Sequence, residues 1–211
     1  DRRARRILPA LFLVMLCSIP FAWFWMLPDQ LSDFANSLVA VSLFVSNILF
    51  WQESGYFAPA AELKPLLHTW SLAVEEQYYL LFPVFLFLVW RFGRDRVFWM
   101  IAAMAAVSLL LCEIGWRRAP SANFYLAPTR AWEIFAGSIA ALVIQKRGVR
   151  SNDLFAIVGL AGIVASIFLY DAETPFPSLF ALVPVLGAVL IVLFGGPGTL
   201  VARVLSVRVM V

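Results

Sequence analysis

The stretch of sequence that decides the fold runs from residue 68 to residue 90 and reads HTWSLAVEEQYYLLFPVFLFLVW. Its first half holds a histidine, a hydroxyl and two carboxylates, at His68, Ser71, Glu75 and Glu76, and its second half is wholly apolar. An apolar run of this kind predicts a membrane-spanning helix. Ionisable groups beside such a helix are energetically costly, so they indicate a function by default. The stretch therefore predicts a transmembrane helix with a polar, functional mouth.

The composition of the whole chain agrees with a membrane protein. Of the 211 residues, 63% are hydrophobic and 14% are charged, whereas a soluble domain carries about a quarter charged residues. Cys17 and Cys112 lie in apolar segments and are interpreted as small hydrophobic side chains. With a single histidine, the sequence offers no zinc site, and its cysteines make no disulfide framework. We predict an all-α fold, a polytopic transmembrane helical bundle without a metal cofactor.

Six segments are apolar and long enough to cross or nearly cross a bilayer. They are Ile7–Leu27, Leu72–Trp90, Val97–Gly115, Thr129–Gln145, Leu154–Tyr170 and Ser178–Phe194. A seventh stretch, Leu38–Trp51, is about 14 residues long and favours one re-entrant or interfacial helix. Pro83 lies inside a span, where a neighbouring group must satisfy the freed carbonyl. Gly137, Gly159 and Gly162 are expected to permit close helix packing.

The basic residues between the spans predict the orientation of the chain, because cytoplasmic connections are enriched in lysine and arginine. If Leu38–Trp51 does not cross the membrane, 12 of the 16 basic residues lie on the side of Arg2–Arg6; if it crosses, the split is eight and eight. The first arrangement follows the rule. We therefore expect Arg2–Arg6 to be cytoplasmic, and the His68 region and the Arg117–Pro128 connection to face outward. The net charge of +3 is attributed to these orientation signals, so no nucleic acid partner is expected.

Arg3 and Arg6 form a candidate binding site for phosphate groups. They are three residues apart and share a face where a helix begins, and guanidinium groups bind phosphates through bidentate hydrogen bonds. In this interpretation they hold a phosphate-bearing donor such as a coenzyme. In the alternative they are a topology anchor that also contacts anionic membrane lipid. The sequence leaves both interpretations open.

His68, Ser71 and Glu75 recur at intervals of three and four, which places them on one face of a helix that begins near His68. Glu75 could orient a base or stabilise its charge, and His68 could carry a proton near neutral pH. Ser71 could be a nucleophile, although no nucleophile elbow surrounds it. In the structural alternative Thr69 or Ser71 caps the helix, and Glu75 and Glu76 favour its positive N-terminal end.

Arg130 and Glu133 open another span and are again three residues apart, so an ion pair within the helix is expected. Structural pairing is one interpretation of these two residues. The other follows from the predicted orientation, in which this helix mouth and the His68 region face the same side of the membrane. Carboxylates at both mouths then indicate a shared polar cavity, which Glu113 and Asn123 could join.

Three stretches carry a resemblance to a known family. The sequence from His68 to Tyr79 closely resembles the signature of the membrane acyltransferase-3 family, in particular its OafA/YrhL-like O-acetyltransferases. The stretch Arg2–Pro9 resembles the Arg-x-x-Arg element that opens a span in that family, and Pro128–Glu133 resembles a later element. Their order and spacing also fit, and the resemblance covers essentially the whole chain.

The resemblance implies an integral enzyme of the bacterial inner membrane that moves an acyl group, usually acetyl, from cytoplasmic acetyl-CoA. The implied acceptor is a hydroxyl of a cell-surface carbohydrate such as lipopolysaccharide. On this basis Arg3 and Arg6 would contact the phosphates of the coenzyme A thioester. Glu75, with His68 nearby, would belong to the transfer site.

The remaining candidates complete the predicted site. Ser71 is retained as a catalytic candidate, and Trp70, Arg130 and Glu133 are taken as substrate-binding residues for the carbohydrate acceptor. The expected partners are therefore membrane lipid, the coenzyme A thioester and the carbohydrate.

One departure from the family pattern concerns the catalytic base. The family places its proposed catalytic histidine on a span upstream of this segment, and nothing in residues 1–211 corresponds to it. We therefore do not carry the role of base onto His68, which belongs to a different motif. We interpret the chain as a partial acyltransferase domain, truncated at both ends, and expect it to be inactive by itself.

Two other classes of function remain open. Polar groups at helix mouths and broken helices also fit a transporter or flippase for a glycan or an acyl-linked substrate. A membrane scaffold, in which these motifs are only caps and anchors, is the third possibility. An apolar span carrying a histidine immediately upstream in the full-length protein would favour the enzyme.

Overall fold

The computed structural model describes residues 4–54, 64–171 and 173–207. The regular structure in these ranges is helical, apart from one isolated antiparallel bridge between Ser151 and Gly195. The α-helices are α1 (Ala4–Trp25), α2 (Pro28–Ser42), α3 (Ser46–Gln52), α4 (Thr69–Val89), α5 (Arg94–Arg118), α6 (Pro120–Tyr125), α7 (Ala127–Arg147), α8 (Asp153–Leu169), α9 (Leu182–Phe194) and α10 (Leu200–Leu205). The predicted all-α class is confirmed.

The chain divides into two compact units, residues 1–80 and 81–211, and the boundary falls inside α4. The first unit contains α1 to α3 and the first half of α4. The second contains the end of α4 and the helices that follow it. Each unit is described on its own below.

Each of the six predicted spans contains a long helix, namely α1, α4, α5, α7, α8 or α9. Within the described ranges, three segments are long and apolar enough to cross a membrane, Arg5–Trp25, Thr69–Phe92 and Arg94–Arg118. The segments Asp153–Leu169 and Leu179–Phe194 are apolar but shorter. The predicted helices are therefore confirmed, whereas the crossing of the membrane by all six stays a prediction.

The outer faces of these helices are apolar. Phe24 on α1 is 80% exposed, Phe87 on α4 is 83% exposed and Trp99 on α5 is 70% exposed. A soluble protein rarely leaves such large apolar surfaces in water. Since lipid is as apolar as these side chains, the exposed faces are those of a helical membrane protein.

Proline residues determine where α5 ends and where α7 begins, and they also occur inside α1 and α4. α5 ends at Arg118 because Pro120 disfavours the helical conformation at Ala119. α7 begins with Pro128 in its first turn, where proline costs no hydrogen bond. α4 continues through Pro83, as predicted, and α1 has proline residues at positions 9 and 20.

The prediction of one helix over Leu38–Trp51 is wrong, because the chain breaks there. α2 ends at Ser42, and α3 starts at Ser46. Phe44 has a positive φ of 54°. The N–H of Val45 donates to the carbonyl of Ala40 (2.8 Å), and the N–H of Phe44 donates to the carbonyl of Val41 (3.1 Å). This is the Schellman ending of a helix, with phenylalanine in the place that glycine usually takes.

Glycine sets the distance between α8 and α9 in the second unit. A Cβ added to Gly159 would lie 2.6 Å from the carbonyl oxygen of Gly187, and a Cβ on Gly187 would lie equally close to the carbonyl oxygen of Gly159. The predicted packing role of Gly159 is confirmed. At Gly162 the added Cβ would make an ordinary contact of 3.6 Å with Val183. The packing role predicted for Gly137 is wrong as far as the structure describes the chain, since no atom of the described residues lies within 4 Å of its added Cβ.

We expect Gly159→Ala to destabilise the second unit by about 1–3 kcal/mol, because the new methyl group forces α8 and α9 apart. Thermal unfolding of the full-length protein in detergent measures the effect. Gly162→Ala is the matched control on the same helix, and its contact distance leaves room for the methyl group. Equal unfolding temperatures for the two variants would contradict this account of the helix pair.

Candidate functional site

The start of α4 carries the first group of predicted site residues. His68 immediately precedes the helix, and His68, Ser71 and Glu75 all have exposed side chains. Their shared exposure agrees with the predicted common face. The hydroxyl of Ser71 donates to the carbonyl of His68 (3.1 Å), a local bond typical of a helix start. The catalytic roles of these three residues stay predictions.

The other face of α4 is tied to α3 through hydroxyl groups. Thr69 is buried, and its Oγ1 donates to the carbonyl of Leu66 (2.7 Å). The Oγ of Ser46, the first residue of α3, donates to the carbonyl of Thr69 (3.1 Å). The two hydroxyl oxygens are 3.2 Å apart. These bonds fix the end of α4 from which His68 projects.

Gln77 holds the break between α2 and α3. Its Nε2 donates to the carbonyl of Phe44 (2.9 Å) and to Oδ1 of Asn47 (2.9 Å). A break in a helix frees backbone groups that lipid cannot satisfy, so a neighbouring side chain must supply the partner. Gln77 therefore has a structural role that the sequence analysis missed. The signal was present, since a glutamine follows the two glutamates of the motif and an asparagine interrupts the apolar stretch.

The start of α7 carries the second group, in the second unit. Nη2 of Arg130 and Oε2 of Glu133 are 3.2 Å apart, and the side chains are 12% and 23% exposed. The predicted ion pair is confirmed. The guanidinium carbon of Arg130 also lies 5.8 Å from the ring centre of Phe124 and 5.2 Å from that of Phe176. Aromatic rings attract a cation in this range, so Arg130 is fixed by one carboxylate and two rings.

Hydrogen bonds from α5 position this helix mouth. The hydroxyl of Ser108 donates to the carbonyl of Pro128 (2.6 Å) and accepts from the backbone N–H of Trp132 (3.0 Å). Asn123, on α6, is buried, and its Nδ2 donates to the carbonyl of Pro177 (2.8 Å). The contacts bring the ion pair of α7, the side chain of α6 and the loop before α9 to one place.

Several buried polar atoms at this place have no hydrogen-bond partner among the described residues. They are Oε1 of Glu133, Nε1 of Trp132 and Oδ1 of Asn123. The buried Cys112 lies beside Trp132 and Asn123 and is close enough to sense the charges of Arg130 and Glu133. The Trp132 and Asn123 atoms lie against the thiol of Cys112, a weak hydrogen-bonding group. Since buried polar atoms are nearly always paired in proteins, Oε1 of Glu133 matches a ligand or water that donates a hydroxyl group.

Asn123 and Glu113 were both expected to join a cavity here, and the structure gives them different surroundings. Asn123 does lie with Trp132 and Cys112. Glu113 instead accepts from Nη2 of Arg117 (2.7 Å) and from the backbone N–H of Leu179 (3.3 Å). The cavity predicted between the two helix mouths stays a prediction, because His68 and Glu75 belong to the first unit and the α7 mouth belongs to the second.

The remaining predicted residues are reported where the structure describes them. Arg3 lies outside the described residues, whereas Arg6 is in the first turn of α1 with an exposed side chain. Trp70 is half-buried on α4. The described ranges contain no group of three or more histidine, cysteine or acidic side chains that could hold a metal ion.

We expect Gln77→Leu to lower the stability of the first unit by about 1–3 kcal/mol, since it leaves the carbonyl of Phe44 without its donor. Thermal unfolding of the full-length protein in detergent again gives the measurement. Gln52→Leu, the same chemical change at an exposed position of α3, serves as the control. An unfolding temperature for Gln77→Leu that equals that of the control would show that the break does not need this side chain.

The sequence was compared with known proteins. Residues 1–202 match the acyltransferase domain model of the acyltransferase-3 family. No solved structure matches the chain.

Curated relatives are similar over almost all of the chain. A putative membrane-bound transacylase of Komagataeibacter xylinus is 29% identical over 96% of this chain. An uncharacterised protein of Haemophilus influenzae is 28% identical over 90% of this chain, and a peptidoglycan O-acetyltransferase of Listeria monocytogenes is 26% identical over 98%. The chain spans 52%, 83% and 36% of the lengths of these three relatives, respectively. With the match to the family model over residues 1–202, they establish that the chain belongs to the acyltransferase-3 family.

Proposed function

We propose that this chain is part of an integral-membrane O-acyltransferase. It moves an acyl group, in the first instance acetyl, from a coenzyme A thioester to a hydroxyl of a cell-surface carbohydrate. The observation that carries the proposal is the match to the family model over residues 1–202. Relatives named as O-acetyltransferases, one of them acting on peptidoglycan, support the reaction and the class of acceptor.

The reaction requires a base, a hydroxyl acceptor and a leaving thiolate. The acceptor oxygen attacks the carbonyl carbon of the thioester, while a base removes the hydroxyl proton. The bond between that carbon and sulfur breaks, and coenzyme A leaves as a thiolate that takes up a proton. We place His68 and Glu75 at this transfer site, where the carboxylate stabilises positive charge that develops on an adjacent base. Ser71 is assigned to the same exposed face.

The donor side is assigned to the arginines at the start of the chain. A coenzyme A thioester carries several phosphate groups, and guanidinium groups are suited to bind them. The exposed side chain of Arg6 in the first turn of α1 supports this assignment, and Arg3 is its proposed companion. In the proposed orientation this end faces the cytoplasm of a bacterial inner membrane, where acetyl-CoA is available.

The acceptor side is assigned to the mouth of α7 in the second unit, and Trp70 of the first unit stays a separate predicted substrate-binding residue. A carbohydrate presents hydroxyl groups that both donate and accept, and Oε1 of Glu133 offers an acceptor for one of them. Arg130 is held by the ring contacts and by its ion pair, so its charge is already in place before substrate binds. A pre-ordered site loses less entropy on binding.

The donor-side and acceptor-side assignments predict that each variant changes the KM of a different substrate. The measurement uses the full-length protein, reconstituted in liposomes with radiolabelled acetyl-CoA and peptidoglycan fragments. Arg6→Ala raises the KM for acetyl-CoA by about tenfold or more, because charge-assisted bonds to phosphate are lost. Glu133→Gln raises the KM for the glycan by a similar factor and leaves the KM for acetyl-CoA unchanged, which also reports that the variant is folded.

Matched controls are Arg203→Ala and Glu173→Gln, which remove the same charges at exposed positions that the proposed sites do not use. Transfer of label that needs neither residue would overturn the assignments. Movement of glycan across the liposome membrane without acetyl-CoA, and without release of coenzyme A, would overturn the enzyme in favour of a flippase.

A further inference from the structure

A basic cavity lies at the end of the second unit away from the Arg130–Glu133 pair. It has a volume of about 350 Å³ and is formed by the first turns of α5 and the last turns of α7. The charged residues that line it are Arg94, Asp95, Lys146 and Arg147. It lies roughly 20 Å along α5 from Ser108, at 1.5 Å per residue, so it is separate from the candidate site. A cavity of this size matches small-ligand sites in proteins.

The charges in the cavity favour an anion. Nη2 of Arg94 donates to the carbonyl of Leu142 (2.9 Å), which anchors the guanidinium between the two helices. Lys146 is paired with Asp95 (3.1 Å), but the side chains are 61% and 83% exposed, so the pair is weak and easily exchanged. Arg147 forms no ion pair with any residue in the described ranges. Three cations therefore face one carboxylate.

The backbone adds to this preference. α5 begins at Arg94, and its N-cap residue is Gly93, which has no side chain to cap the first turn. The free N–H groups and the dipole of a helix start attract anions. Lys146 and Arg147 lie in the last turn of α7, where positive charge also stabilises the dipole of that helix. This helix-dipole effect accounts for their charge, but it does not account for the cavity between α5 and α7.

The surface around the cavity is that of a lipid-facing helix. Trp99 lines the cavity and is 70% exposed, and further along the same helix Val107 is 58% exposed and Leu110 is 60% exposed. Tryptophan is enriched where a membrane meets water. A ligand with its charged group in the cavity would therefore have apolar surface beside it, which an acyl chain can cover and a soluble phosphate compound cannot use.

We propose that this cavity binds the phosphate headgroup of an anionic phospholipid, whose acyl chains lie along the exposed face of α5. Basic pockets between membrane helices are suited to such headgroups. The inference does not depend on the acyl-transfer reaction. In the orientation proposed above, the cavity faces the cytoplasmic leaflet.

The test is native mass spectrometry of the full-length protein in detergent, with phosphatidylglycerol and phosphatidylcholine added separately. We expect wild-type protein to retain phosphatidylglycerol preferentially. The double variant Lys146→Gln/Arg147→Gln should retain it about twentyfold less, since each basic group near a lipid surface contributes about a fivefold factor. Arg118→Gln/Arg203→Gln removes two exposed charges outside the cavity and should behave as wild type.

A second arm uses wild-type protein alone and does not depend on the folding of any variant. Adenosine 3′,5′-diphosphate, which carries the phosphate chemistry of coenzyme A without an acyl chain, is added to the complex with phosphatidylglycerol. Continued retention of the lipid supports the proposal. Displacement of the lipid by the nucleotide would assign the cavity to a soluble phosphate compound. Retention of phosphatidylcholine equal to that of phosphatidylglycerol would show that the basic residues do not select an anionic headgroup. Either result overturns the proposal.

Discussion

Every polar backbone group inside a bilayer must find its partner within the protein, because lipid offers none. The described helices meet this constraint with a few side chains at the places where the backbone is interrupted. In the first unit, Gln77 supplies the donor for the carbonyl of Phe44 at the break between α2 and α3. In the second unit, Ser108 binds the carbonyl of Pro128 and the N–H of Trp132 where α7 begins. The positions of the candidate site residues depend on these few bonds.

The same constraint makes buried polar atoms without a strong hydrogen-bond partner informative about function. An unpaired polar atom in a low-dielectric environment costs free energy that folding must offset elsewhere. Glu133 keeps one such buried atom at the α7 mouth, and the Trp132 and Asn123 atoms there have only the weakly bonding thiol of Cys112 beside them. Groups of this kind persist in proteins where a ligand uses them, which is why we assign the acceptor to this place. Arg130 differs from these atoms, because two rings and a carboxylate hold its charge in a fixed position beside them.

Local features of the chain could be predicted from the sequence. Apolar runs predicted the helices of the six segments, and the three-residue spacing predicted the Arg130–Glu133 pair, because both depend on helical geometry over short distances. The break at Phe44 could not be predicted, since a helix that ends in the left-handed region normally signals itself with glycine.

Contacts between residues that are far apart in the chain could not be predicted from the sequence either. Phe176 lies 46 positions from Arg130 in the chain, and only the folded structure brings its ring to 5.2 Å from the guanidinium. Gly159 and Gly137 look alike in sequence, but only Gly159 faces a partner helix. For the same reason, the motif from His68 to Tyr79 identified the family without revealing that Gln77 serves the neighbouring helices.

The central claim is that the donor arginines and the mouth of α4 lie on opposite sides of one membrane. Cysteine labelling tests it most directly, with Arg6→Cys and His68→Cys placed one at a time in full-length protein whose Cys17 and Cys112 are replaced. A maleimide that cannot cross membranes is applied to intact bacterial cells and to inverted membrane vesicles. The account predicts labelling of the cysteine at position 68 only from the outside of the cell, and of the cysteine at position 6 only in inverted vesicles. Labelling of both positions from the same side would contradict it.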